Sequence, residues 1–250
     1  MAKLNRKKVL LLKKETSYGN SPSLSGSANA VLVRDLTVEP VVSDEVSREL
    51  IRGYLGNQEV LLANTRVNVS FDVEMAGSGA AGTAPKYSDA LLACGLALTT
   101  VSSTSNSYAP VSDSFDSVTM HYNTDGVRHI ITGARGTFSI NCEVGQIPVI
   151  SFQFTGIYNA PTDTALPTTT YSNQADPVIF KNGNTSSFQL FGYAGALQSW
   201  SFDMNNEIVY RELVGSTKQV IITGRTPSGT AVVEAVALSG HNFFTDATGG

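Results

Sequence analysis

Residues 117–158 read SVTMHYNTDGVRHIITGARGTFSINCEVGQIPVISFQFTGIY, and this stretch decides the predicted fold. Asp125-Gly126 lies between two β-rich segments, and a two-residue Asp-Gly loop favours the type I′ turn of a β-hairpin. Gly133 and Gly136 are predicted to interrupt the second arm of that hairpin. Beyond them, apolar and polar residues alternate in two further runs, as they do in half-buried strands. The stretch therefore predicts at least four consecutive antiparallel strands with one apolar and one polar face.

The rest of the chain adds strands, loops and one short helix. Residues 65–75 alternate most cleanly, so their register is well defined. Pro near the start, an apolar stripe and Gly95 at the end predict a short helix over 85–95. Further strands are predicted at 30–36, 196–204, 219–224 and 230–238. Residues 41–53 are predicted to be a helical or irregular connection, 99–116 a Ser/Thr-rich loop, and 159–187 a long surface loop.

Composition points to a structural protein with partners. Charged residues make up 15% of the 250 residues, against about 25% in an ordinary soluble protein, which suggests that partners cover much of the surface. Cys94 and Cys142 are predicted to be small buried apolar side chains without a disulfide, which fits a reducing compartment. No apolar run is long enough for a signal peptide or a membrane span, so we expect a soluble cytoplasmic chain.

Charge is divided unevenly between the N-terminus and the remainder. Residues 1–15 hold six basic residues against Glu15, which leaves 11 basic and 20 acidic residues in the remainder. Residues 1–30 are therefore predicted to be a basic, Ser/Gly-rich arm that becomes ordered on a partner. Residues 31–250 are predicted to be one β-sandwich domain, whose acidic charge argues against tight DNA binding.

Catalytic and cofactor chemistry finds no support. Gly77-Ser-Gly79-Ala-Ala-Gly82 matches the dinucleotide fingerprint G-x-G-x-x-G, but a Ser-rich loop rather than a parallel strand with an acidic residue follows the helix, so we interpret it as a turn. Asp72 and Glu74 are interpreted as a solvated face rather than a glycosidase pair. His121 and His129 are predicted to point to opposite sides of the sheet, which prevents a shared metal. We therefore predict no enzyme activity, no cofactor and no metal site.

Several fragments, in order along the chain, resemble the major tail tube proteins of long-tailed, siphophage-like bacteriophages. They are Lys13-Lys14-Glu15-Thr16-Ser17-Tyr18-Gly19, residues 46–56 with Arg48, Arg52 and Gly56, residues 70–82 leading to Leu91-Leu92-Ala93-Cys94-Gly95, Gly133-Ala134-Arg135-Gly136, and Ser201-Phe202-Asp203-Met204.

The resemblance implies a mainly β protomer, an antiparallel β-sandwich or half-barrel with one flanking helix and an extended N-terminal arm. Six such protomers would pair edge to edge into a hexameric β-barrel ring, and rings would stack into a tube that conducts DNA during ejection. Long strands with few protecting charges fit this arrangement, since barrel closure removes exposed edges. The implied partners are the chain itself, the tail tip or baseplate, and the tape-measure and tail terminator proteins. DNA would pass transiently, and the tail would assemble in the bacterial cytoplasm and end in the virion.

Two groups of residues are assigned roles on this basis. The candidates for the lumen wall are Asp72, Glu74, Glu143 and Asp203, with Ser70, Asn141 and Ser201 as neutral neighbours. The candidates for contacts between subunits are the basic residues of the arm, Lys3, Arg6, Lys7, Lys8, Lys13 and Lys14, together with the 159–187 loop.

Three other interpretations stay open. A baseplate or tail-tip ring protein would use much the same sheet pairing. A carbohydrate-binding module or adhesin would be Thr/Asn-rich but monomeric. A hydrolase using Asp72 and Glu74 would lose activity in an Asp72→Asn variant.

Overall fold

The computed structural model describes residues 7–186, 188–190 and 192–249. Strands hold 48% of the residues and helices 7%, which confirms a mainly β protein. The strands are β1 (Lys8–Lys14), β2 (Ala30–Val31), β3 (Arg34–Ser47), β4 (Val60–Glu74), β5 (Leu96–Val101), β6 (Ser105–Pro110), β7 (Val118–Thr124), β8 (Val127–Glu143), β9 (Val149–Tyr158), β10 (Thr162–Asp163), β11 (Leu197–Asp203), β12 (Asn206–Arg211), β13 (Gln219–Arg225) and β14 (Ser228–Val233). The helices are α1 (Gly26–Asn29), α2 (Ser88–Ala93) and α3 (Phe243–Gly249).

One antiparallel sheet dominates the fold, with the strand order β2-β1-β7-β8-β9-β4-β3. Strand β8 is its centre. One edge of β8 pairs first with β7 and then with β11, and its other edge pairs with β9. Strand β14 extends the sheet beyond β11. The sheet is open within one protomer, so the protomer by itself is not a closed barrel.

The predicted break in β8 is a β-bulge. Strand β8 runs without interruption through Gly133 and Gly136. Its register shifts at this point against both β7 and β9, and Gly133 has φ +58°. A bulge inserts an extra residue and bends the strand without ending it. The prediction of two separate strands here was therefore wrong, and one bent strand serves both halves of the sheet.

The Asp125-Gly126 hairpin is confirmed, with Thr124 opposite Val127. The predicted type I′ geometry of the turn is wrong. Gly126 has φ +86°, but Asp125 does not have positive φ, and a type I′ turn requires positive φ at both central residues. The same register places Tyr122 opposite His129 and His121 opposite Ile130, as predicted.

The core lies between the sheet and α2. On β4 four apolar residues of the predicted alternation, Val67, Val69, Phe71 and Val73, are buried, whereas Met75, the last apolar residue of that alternation, is 42% exposed. The ring centroid of Phe71 lies 5.3 Å from that of Phe152 and 5.9 Å from that of Phe154. Burying a large apolar side chain stabilises by about 1.5–3 kcal/mol, so this face of the sheet must carry much of the stability.

The predicted flanking helix is α2, and Gly95 with φ +81° follows its end. Two other predictions were wrong. Residues 41–53 are not helical at their start, because β3 continues to Ser47 along β4. Residues 99–116 contain most of the β5–β6 hairpin. Both segments form strands because a partner strand lies beside them, which a local pattern does not reveal.

The prediction that residues 1–30 form an extended arm was wrong for residues 8–14. Strand β1 pairs along its whole length with β7. Leu10 and Leu12 lie in the main core, and Val9 and Leu11 lie in a second apolar cluster on the other face of the sheet. Four consecutive apolar residues suit a strand that is covered on both faces. Residues 8–14 are therefore part of the sheet rather than of an extended arm, and a boundary at residue 30 would separate β1 from its partner.

The predicted long loop lies along its own protomer. The Gln174 side chain accepts from the Leu32 backbone N–H and donates to the Leu32 carbonyl, at 3.0 and 3.1 Å. The Ala175 N–H donates to the Gly77 carbonyl at 2.9 Å. The loop includes β10, and Ser187 lies outside the described residues. Within the described ranges, no helix has the length and apolar character needed to cross a membrane.

The buried side chain of His121 on β7 makes the stability of the fold depend on pH. His121 is 6% exposed, and burial, followed by the charge of Arg128, lowers its pKa to about 4. In the unfolded chain the pKa of histidine is about 6.5. As pH falls from about 6.5 towards 4, the histidine becomes protonated in the unfolded chain but stays neutral in the folded protein. The free energy of unfolding therefore decreases on acidification.

We expect the free energy of unfolding to be about 2 kcal/mol lower at pH 5 than at pH 7 because of His121. Urea unfolding at both pH values measures the loss. In a His121→Gln variant the side chain stays neutral, so the loss should shrink by that amount. An unchanged pH dependence in the variant would contradict the assignment.

Candidate functional site

The polar face of the sheet carries the predicted wall residues in rows across the strands. Asp72 on β4 lies opposite Ser151 on β9, Ser151 lies opposite Ser139 on β8, and Ser139 lies opposite Asp203 on β11. Directly paired residues project from the same side of a sheet. Asp72 and Asp203 therefore belong to one face although 131 positions separate them along the chain.

The neighbouring rows contain the other candidates. Glu74 is joined through Val149 to Asn141 and Ser201. Ser70 is joined through Gln153 to Thr137. Glu143 lies opposite Ser199. The structure thus brings all seven predicted residues onto one face, which extends over β4, β9, β8 and β11, and we call it the polar face.

The polar face has acidic electrostatics. Glu74 lies 3.7 Å from the Arg34 guanidinium, and Asp203 accepts a hydrogen bond from the Asn205 N–H at 2.8 Å. Asp72 and Glu143 form no ion pair with any other described residue. These carboxylates are partly or fully exposed, so water solvates them and their negative charge remains at the surface.

The β12–β13 hairpin covers one end of the polar face. The Asn206 N–H donates to Thr137 Oγ1 at 3.1 Å. Between the hairpin and the sheet is an open cleft of about 460 Å³ lined mainly by polar side chains, among them Glu39, Asn68 and Gln153. An open polar cleft of this kind lacks the apolar enclosure that small-ligand pockets have.

The basic residues assigned to intersubunit contacts are used in different ways. Lys14 Nζ lies 3.2 Å from the Asp116 carboxylate, and Lys13 Nζ donates to the Ser23 carbonyl at 3.3 Å. Lys7 and Lys8 are exposed at the start of β1. Lys3 and Arg6 lie outside the described residues. Of the described members of this set, Lys7 and Lys8 form no side-chain hydrogen bond or ion pair with another described residue.

A buried carboxylate that sequence reasoning missed joins two of the fragments quoted above. Glu15 is 6% exposed. Its oxygens accept from Ser117 Oγ at 2.6 Å and from Thr119 Oγ1, the Gly133 N–H and the Gly19 N–H, each at 2.7 Å. A buried charge is tolerated when hydrogen bonds satisfy it in this way. Glu15 therefore anchors the end of β1 to the bulge in β8.

Tyr18 and Arg135 extend this connection to β13. The Tyr18 hydroxyl donates to the Gly133 carbonyl at 3.0 Å and accepts from the Val220 N–H at 2.5 Å. The Arg135 guanidinium lies 4.9 Å from the centre of the Tyr18 ring and donates to the Val220 carbonyl at 2.9 Å. Burial raises the pKa of Tyr18 and lowers the pKa of Arg135. These residues hold the β12–β13 hairpin in position over the sheet.

A second polar contact joins the end of α2 to the same region. The Asn206 amide donates to the carbonyls of Cys94 and Gly136, at 2.7 and 2.9 Å. Its oxygen accepts from Arg225 Nε at 2.9 Å, and Arg225 also donates to the Gly95 carbonyl at 3.0 Å. The only sequence signal was that Cys94-Gly95 and Gly136 belong to the quoted fragments, and their contact depends on the tertiary structure.

The glycine-rich segment is a turn, as interpreted. Gly79 and Gly82 both have positive φ. After α2 comes β5, which pairs antiparallel with β6 in a separate two-stranded sheet. A dinucleotide site requires a parallel strand beside the first one. The described residues also contain no group of three or more His, Cys, Asp or Glu side chains that could hold a metal ion.

A comparison with known protein families gives a match. A family model described as phage tail tube protein matches residues 5–249. The chain belongs to the phage tail tube protein family. The match includes every strand and helix described above, so the polar face and the Glu15 and Asn206 contacts all lie within it. The search of curated proteins found no match.

Membership of the phage tail tube family assigns the chain to the structural proteins of the virion tail. It also implies assembly with other tail proteins. For such a protein the open sheet edges are of interest, because assembly requires surfaces that meet other chains.

Proposed function

We propose that six copies of this tail tube protein close into a ring and that rings stack into a tube through which DNA passes during ejection. The single observation that supports this most strongly is the contiguous acidic polar face, which brings together seven residues from three separate strands, β4, β8 and β11. The face lies between two open strand edges, those of β3 and β14. Pairing of such edges between copies would satisfy their free backbone groups.

In the proposed ring the polar face lines the lumen. Carboxylates repel the phosphate backbone, and at physiological salt their field decays over about 8 Å. Hydroxyl and amide side chains between them offer no fixed positive charge for DNA to bind. The wall therefore keeps DNA from adhering without blocking its passage. Tail tip, tape-measure and terminator proteins would bound the tube, which would assemble in the bacterial cytoplasm.

Electron microscopy of the purified chain at increasing concentration tests the proposal. We expect negatively stained images to show rings with a central hole and, at higher concentration, stacked tubes. Sedimentation velocity should then show a hexamer as the smallest assembled species. A chain that stays monomeric in both measurements at its highest soluble concentration would contradict the proposed function.

A further inference from the structure

Two polar side chains on β7 and β8 have buried nitrogen atoms that lack a hydrogen-bond partner. The atoms are His121 Nε2 and Arg128 Nε, and neither is hydrogen-bonded to any of the described residues. The whole His121 side chain is enclosed, because the residue is only 6% exposed. Buried polar groups in proteins are almost always hydrogen-bonded, so an exception of this kind indicates that a bound species completes the site.

The register of the sheet brings the two side chains together. Asn123 on β7 lies directly opposite Arg128 on β8, and His121 lies two residues before Asn123 on the same side of the strand. Diagonal neighbours of this kind are about 7–8 Å apart, within reach of long side chains. The charge of Arg128 also acts on the pKa of His121, which agrees with a short distance between the two groups.

Other parts of the chain cover this side of the two strands, which faces away from the main core. Leu11 of β1 lies opposite His121, and it belongs to the second apolar cluster, against which Leu24 and Leu166 pack. Strand β10 pairs with β8 beside Arg128. The unpaired nitrogens are therefore enclosed within one protomer, where a small species fits and a side chain of another chain does not reach.

Charge decides which kind of species suits the site. Arg128 is partly buried and forms no ion pair with any described residue. A guanidinium is always charged, and removing a charge from water without a counterion is strongly destabilising. At pH 7 His121 is neutral, because burial and the charge of Arg128 lower its pKa to about 4, and a neutral imidazole still donates through one nitrogen. Two donors beside an uncompensated positive charge favour an anion over a water molecule.

We propose that a chloride ion binds between His121 Nε2 and Arg128 Nε and accepts a hydrogen bond from each. The assignment requires the tautomer of His121 that carries its proton on Nε2. The ion neutralises Arg128 and joins β7 to β8 beneath β1, so it stabilises the protomer. Because the site lies inside a single chain, the inference goes beyond the proposed tube and does not rest on it.

Urea unfolding at pH 7 in sodium chloride and in sodium methanesulfonate tests the site. The two salts are compared at equal ionic strength, so that they screen surface charges equally, and at a protein concentration below assembly. Methanesulfonate is too large for the enclosed site. At a chloride concentration ten times its dissociation constant, the equilibrium constant for unfolding should be about ten-fold smaller than in methanesulfonate. Equal stability in the two salts at every concentration would overturn the proposal.

Three variants separate binding at this site from a general effect of the salt. Arg128→Gln removes the charge and His121→Leu removes the other donor, so either variant should lose the difference between the two salts. The matched control is Arg211→Gln, which removes an exposed guanidinium that bonds Gln219, and it should keep that difference. A chloride effect that persists in Arg128→Gln or in His121→Leu would place the ion elsewhere and overturn the proposal. If one of these two variants does not fold, the other gives the result.

Discussion

A Glu15→Ala variant is expected to lose about 4 kcal/mol of stability. In the variant two backbone N–H groups and two hydroxyls lose their acceptor in a buried site, and each unsatisfied group destabilises the fold by roughly 1–3 kcal/mol. The hydroxyls can rotate toward other acceptors, whereas the N–H groups of Gly19 and Gly133 are held by the backbone. A typical protein is stable by only about 5–15 kcal/mol. The variant should therefore melt on the order of 10 °C lower.

Thermal unfolding monitored by circular dichroism at a concentration below assembly measures this loss. The matched control is Glu59→Ala, which removes a carboxylate that is 57% exposed and paired with Arg48. An exposed ion pair contributes about 1 kcal/mol or less, so its melting temperature should stay close to that of wild type. Equal melting temperatures for the two variants would contradict the role of Glu15 as an anchor.

Reversing the charge of the polar face should have the largest effect on function. In an Asp72→Lys/Glu143→Lys variant, each protomer exchanges two negative charges for two positive ones on the proposed lumen wall. Lysines bind DNA by displacing the cations that surround its phosphates. We expect tubes of the variant to retain a short fluorescent DNA duplex about ten-fold more than wild-type tubes at low salt, and to release it at high salt.

Cosedimentation of tubes with the duplex, repeated over a range of salt concentrations, measures this retention. An Asp113→Lys/Asp163→Lys variant makes the same change in net charge at exposed positions away from the polar face. It should retain less DNA than the lumen variant if location matters. Equal retention by both variants would mean that net charge, rather than a charged lumen, governs DNA binding.

Local patterns were sufficient for the faces of the sheet. The alternation along β4 and β9 predicted which side chains would be buried, since successive residues of a strand point to opposite sides whatever its partners are. Asp72 and Asp203 could therefore be assigned to the polar sides of their strands before the order of those strands in the sheet was known. The short helix α2 was equally local, because its apolar stripe and the following Gly95 lie within about three turns.

The features of the fold that local patterns did not predict depend on pairing between distant segments. Glu15 binds Thr119 and Gly133, which are 104 and 118 positions away, and β1 becomes a strand only beside β7. The bulge at Gly133 and the β5–β6 hairpin likewise depend on neighbours rather than on their own residues. By itself, then, the sequence determined the strands with clear alternation, their two faces and the acidic character of one of them, because these follow from side chains a few residues apart. Only the tertiary structure decided the place of β1 and the buried role of Glu15, because each depends on which distant segments meet.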